Sequence, residues 1–180
     1  MALGRTDEAI AQADARLAAA PLDLYIRWEH CTVLFHTGHF ERARLQAQQI
    51  LAIEPDYFVV LTFLIYTNIA LGRIEDAIAD YARLARDSLS AGELAQVARG
   101  DAAPMWQWLQ QTNPMRFWNA FGWLMSGDND RAIASLKAGF KEREYEMVLL
   151  HDAWLAPLRS DPRFVSLVSD MNLPPAKPLG

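Results

Sequence analysis

A single cysteine, Cys31, stands in 180 residues. An internal disulfide is therefore excluded, and a reducing, cytoplasmic compartment is the expected setting. No run of one charge sign occurs: 22 acidic and 17 basic residues are mixed along the chain for a net charge of −5. Without a basic stripe, this segment is not expected to bind nucleic acid by itself. The first residues lack a basic flank leading into an apolar core, so no secretory signal is expected. The longest apolar stretch, Tyr57 to Leu71, is broken by Thr62, Thr67 and Asn68. It also falls short of the ~20 residues of a bilayer span, and reads as a buried helix. Strand-like alternation of Val, Ile and Thr is missing, and Gly and Pro, nine of each, are confined to a few places. Hydrophobic residues make up 52% of the chain, enough for a real core, and the class expected is all-α.

What is present is a period. Glycine stands at Gly4, Gly38 and Gly72, alanine five positions later at Ala9, Ala43 and Ala77, and proline at Pro21 and Pro55, every step being 34 residues. Three residue types in one register mark an array of helix pairs. Gly38 and Gly72 fit the turn between two antiparallel helices, where positive φ is needed. Ala43 and Ala77 fall one turn into the second helix, where a small side chain lets the helices approach. Pro55 stops that helix. The second helices carry apolar residues at helical spacing: Ala43, Ala47, Ile50 and Leu51, then Ala77, Ile78, Tyr81 and Leu84.

On these residues the chain resembles the tetratricopeptide repeat, a helix–turn–helix unit with a turn glycine, a small residue five on and a closing proline. The resemblance implies a right-handed α-solenoid of antiparallel helix pairs, taken as one domain over 1–173. Within it fall a half repeat (1–21), two repeats (22–55 and 56–87), an irregular helix pair (88–112), a further repeat (113–141) with Gly127 and Ala132 five apart and Pro114 opening its first helix, and a C-terminal cap (142–173). In the second repeat Leu89 replaces the proline, so that helix is expected to run on or end differently. In the irregular pair, Ser90 with Glu93 makes a capping box and Asp101 caps a helix with Pro104 in its first turn. The half repeat lacks a partner helix, which suggests either a piece of a longer protein or completion by another chain, a possible homodimer included. Residues 174–180, rich in proline, are expected to be an extended tail.

The run Asp152-Ala-Trp-Leu-Ala-Pro-Leu-Arg-Ser-Asp-Pro-Arg-Phe164, continuing to Met171-Asn172-Leu173-Pro174, resembles the terminator of bacterial arrays found at the C-termini of winged-helix regulators, adenylate cyclases and serine/threonine kinases. It implies a last helix capped by Asp161, with Pro162 at its first position and Phe164, Leu167, Val168 and Met171 sealing the array.

In such arrays the first helices line the concave side. The lining implied here is Tyr25, Trp28, Thr32 and Phe35, then Val59, Thr62, Tyr66 and Ile69, then Phe117, Phe121 and Leu124. It is aromatic and almost uncharged, suited to a peptide or partner helix, although aromatics at helical spacing equally fill cores. Trp28, Thr32, Thr62 and Tyr66 hold places where carboxylate-gripping arrays resemble each other in having Lys and Asn, so that mode is not expected. His30, Cys31, His36 and His39 form a local cluster of soft ligands, but His36 and His39 straddle the Gly38 turn, and ordinary packing is the expected role. His151-Asp152 diverge as neighbours on a helix, and Asp152 suits a cap. No phosphate loop, metal-ligand helix or nucleophile elbow appears. A non-enzymatic protein-interaction module without cofactor or metal is expected, regulatory or scaffolding, from a bacterial signalling or transcriptional regulator. Self-association with an internally filled groove, and sensing of an apolar small molecule, are the alternatives.

Overall fold

The computed structural model describes residues 5–112 and 114–173. The expectations placed on Gly4 and on the tail 174–180 lie outside these residues. Every regular element among the described residues is helical, and sequence neighbours pack in pairs. The chain divides into two compact units, residues 7–105 and the body that begins at Trp106.

In the first unit α2 (Leu24–His36) pairs with α3 (Phe40–Ile53), and α4 (Phe58–Ala70) pairs with α5 (Ile74–Leu84). α3 also packs on α4, and α5 on the short α6 (Ala91–Ala98). The reason for the pairing lies in the turns. Gly38 and Gly72 take φ of 87° and 72°. At the second, Gly72 N–H donates to Ile69 O (2.9 Å) and Arg73 N–H to Asn68 O (2.8 Å), closing the last orphan carbonyls of α4. Gly38 and His39 do the same for α2 through Phe35 O and Leu34 O. A Cβ added at Gly72 would touch nothing within 4 Å, so the demand there is on the backbone alone. Gly72→Val is expected to cost about 2 kcal/mol through left-handed strain on a β-branched residue; chemical denaturation measures it, and an unchanged midpoint would contradict the role given to this turn.

The small residues sit at the helix approaches. Ala43 and Ala77 are fully buried, and the Cys31 thiol donates to the Ala43 carbonyl at 3.3 Å. α3 ends at Ile53, two residues before Pro55, whereas α5 ends at Leu84, well before Leu89. The Ser90–Glu93 capping box forms as the spacing predicts, and Asp101 accepts from Ala103 N–H at 2.9 Å. α1 (Thr6–Ala19) has no buried residue. Ile10, Ala13 and Leu17 are half-buried along one stripe, and polar links tie it down: Asp14 to His30 (2.8 Å) and Arg42 (3.3 Å), Arg16 to Glu29 (2.7 Å).

The second unit begins within α7 (Ala103–Gln107), which continues as a π-helical turn, Trp108–Thr112. α8 (Arg116–Met125) pairs with α9 (Asn129–Glu142) around Gly127, φ 91°. Ala132 is fully buried. Pro114 does not open the helix: α8 starts at Arg116, and Met115 is its N-cap. The open N–H groups of Arg116 and Phe117 donate to the Glu144 carboxylate at 2.7 and 3.0 Å, a cap supplied from 28 and 27 residues away. Two 3-10 turns, Tyr145–Leu149 and Ala153–Leu158, lead to α10 (Pro162–Asp170), which packs on α9. Asp161 caps α10 and Phe164 and Leu167 are buried, while Val168 and Met171 are only half-buried.

Candidate protein-binding face

α2 and α4 lie side by side in the first unit, and large apolar side chains stand uncovered near their N-terminal ends. Leu22 is 84% exposed, Tyr25 55% and Phe58 67%. Behind them the rings run inward as a chain. Tyr25 meets Trp28 at 5.7 Å between centroids, Trp28 meets the edge of Phe63 at 6.4 Å, and Phe63 meets Phe35 at 5.6 Å and Tyr66 at 6.1 Å. Tyr25 meets Trp28 at a tilt of 44°, and the contacts behind it are edge-to-face, a favoured aromatic geometry. The Thr32 and Thr62 hydroxyls donate to carbonyls of their own helices, Glu29 O at 2.8 Å and Phe58 O at 2.9 Å.

Of the groove residues expected from the repeat register, Tyr25, Trp28, Thr32 and Thr62 retain exposed surface, and Val59 is half-buried. Phe35, Tyr66, Phe117 and Phe121 are core residues, at 0, 2, 0 and 0% exposure, as are Ile69 and Leu124. The cause is packing on both sides of the first helices. Phe35 is held between Phe40 of α3 (5.4 Å) and Phe63 of α4. Phe117 and Phe121, in the other unit, both close on Trp154 of the second 3-10 turn, at 5.2 and 5.3 Å. Repeat position gives the side of a helix but not which neighbour covers it. Phe58 and Leu22 escaped sequence reading because they sit at helix entrances, outside the lining positions.

The histidines separate. His30 faces Asp14 across 2.8 Å, and His39 Nδ1 lies 3.2 Å from the Thr37 hydroxyl. Burial pushes the Cys31 thiol up to about 12, which removes the thiolate that metal binding or nucleophilic chemistry needs. Among the described residues no group of three or more His, Cys, Asp or Glu is placed to hold a metal ion. Asp152 makes no side-chain cap; its carboxyl group accepts from the Trp154 indole at 3.0 Å, and its backbone carbonyl, with that of His151, accepts from Arg159. A shallow cleft of about 280 Å³ in the second unit is lined by Arg116, Trp123, Arg131, Ala134, Ser135 and Ala138. Its guanidinium groups are engaged already: Arg131 lies 4.6 Å over the Trp123 ring and pairs with Asp128, and Arg116 pairs with Glu142. No helix among the described residues is long and apolar enough to cross a membrane.

No protein-family model matches the chain, and neither does any curated protein or solved structure.

Proposed function

We propose that this chain is a non-enzymatic protein-interaction module of the tetratricopeptide-repeat type, which docks an amphipathic helix or peptide of another protein on the face formed by Leu22, Tyr25, Trp28 and Phe58. The observation that carries this reading is the uncovered Tyr25, which rests through Trp28 on a packed aromatic base, with Phe58 exposed on the neighbouring helix. Exposed apolar clusters mark recognition sites, and aromatics of this kind supply most of the energy in such contacts. Charges beside this face are engaged within the chain: Arg27 donates to the Pro21 carbonyl and Glu29 pairs with Arg16. The partner segment therefore presents apolar side chains at helical spacing. The terminator-like run from Asp152 to Phe164 supports a regulatory or scaffolding role in a cytoplasmic bacterial regulator.

The test is a helical-peptide display selection against the wild-type protein, followed by affinity measurements on Tyr25→Ala/Phe58→Ala. The double variant is expected to bind the selected peptides at least ~10-fold more weakly with an unchanged melting temperature, since both side chains are exposed. Undiminished affinity would remove this face from the reading. A second reading, self-association, is favoured by one observation: the apolar stripe of α1 is only half-buried, and none of its residues is fully buried. Mass that rises with protein concentration, and an Ile10→Glu/Leu17→Glu variant that abolishes the rise, would support it.

A further inference from the structure

The apolar α4 contains one amide side chain, Asn68, 2% exposed, and α4 carries no Asp, Glu, Lys, Arg or His. Its Nδ2 donates to Asp80 Oδ2 of α5 at 2.8 Å, while its Oδ1 is sealed from solvent with no donor. A buried carbonyl oxygen without a donor is costly, and the group beside it is a carboxyl, which can offer a proton. We propose that Asn68 and Asp80 form a proton-operated latch between α4 and α5: with a proton on Asp80 the acid and the amide close a cyclic pair of two hydrogen bonds, and loss of that proton to solvent leaves one. The equivalent position one repeat earlier is Leu34, so the preceding helix pair cannot form the latch. It does not depend on what the aromatic face binds.

The surroundings favour a held proton. Desolvation pushes the Asp80 carboxyl up to about 6; the Asn68 hydrogen bond and the Arg83 charge oppose the rise, and Asp76 assists it. Arg83 is only partly available to neutralise Asp80, because its guanidinium also donates to the Pro55 carbonyl. Among the described residues of the neighbouring elements, the charged groups have other contacts. Glu93 of α6 acts on Tyr81, and on α3 Arg44 pairs with Glu41 and Arg42 with Asp14. Because the folded-state value is raised, the native protein holds the extra proton between about pH 4 and 6. Stability from this group is therefore present at the acid end of that window and is lost as pH rises through it.

The decisive experiment is an NMR titration of the full chain from pH 4 to 8, following Asp80 Cγ and the Asn68 side-chain amide. Both are expected to move with one midpoint close to 6. In Asp80→Asn, which keeps an acceptor and a donor toward Asn68 at every pH, the Asn68 amide should stay fixed across the range. The melting temperature of that variant should lose the fall that the wild type shows between pH 4 and 6. An Asp80 midpoint near 4 would overturn the latch. So would a midpoint near 6 with an unmoved Asn68 amide, which would mean burial alone retains the proton.

Discussion

Trp154→Ala is expected to lower the stability of the second unit by about 3–5 kcal/mol, the range for deleting a large buried aromatic. Trp154 is 3% exposed and its ring closes on both Phe117 and Phe121, so truncation leaves a cavity bordered by two fully buried rings. The indole has a second duty. Its N–H donates to the carboxyl group of Asp152, itself 2% exposed, and an intramolecular hydrogen bond of this kind contributes about 0.5–1.5 kcal/mol net. Trp154→Phe separates the two: it keeps most of the ring and deletes the donor. Denaturant unfolding should place it between wild type and Trp154→Ala. A Trp154→Ala protein as stable as wild type would mean that Phe117 and Phe121 find cover elsewhere, and would reopen them as binding residues.

The second large effect is expected at Gly122, in the middle of α8. A Cβ there would stand 2.9 Å from Leu109 Cβ and 3.1 Å from the Leu109 carbonyl carbon. Leu109 is fully buried, and its backbone belongs to the π-helical turn that lies along α8. The clash is with main chain, which cannot rotate aside. Gly122→Val is expected to cost about 3 kcal/mol, since overpacking of this kind costs ~1–3 kcal/mol or more, and valine gains little in helix propensity to offset it. Thermal melting of Gly122→Val measures it. If the variant melts at or above wild type, the approach of the turn to α8 is looser than described.

The helix pairs were legible because the turn is a backbone requirement and glycine is the residue that meets it. Gly38, Gly72 and Gly127 could be found because an alanine stands five residues after each. Gly100 could not, although it ends α6 with φ of 79° and the same two hydrogen bonds, to Val97 and Gln96 carbonyls. The companion signal fails there: five residues on stands the buried Met105 instead of alanine. Gly122 stayed hidden for the opposite reason, since nothing in a helical pattern tells a packing glycine from a tolerated one. The aromatic face was legible only in part. Helical spacing places Trp28 and Phe35 toward one side of α2, but exposure is decided by α3 and α4, which cover the far end and leave the near end bare. The Glu144 cap on α8 and the Asn68–Asp80 pair join residues of different elements, and one sequence carries no mark of such pairings.

The ends of α2, α4, α6 and α8 all use one joint, a left-handed glycine with the following N–H reaching back to the helix. Its partners are main-chain atoms, so it is indifferent to the side chains around it and to the length of chain on either side. Gly38 and Gly72 are a full period apart, whereas Gly100 and Gly127 come sooner. A helix pair can therefore be shortened, lengthened or spliced in while the hydrogen bonds of the corner stay the same.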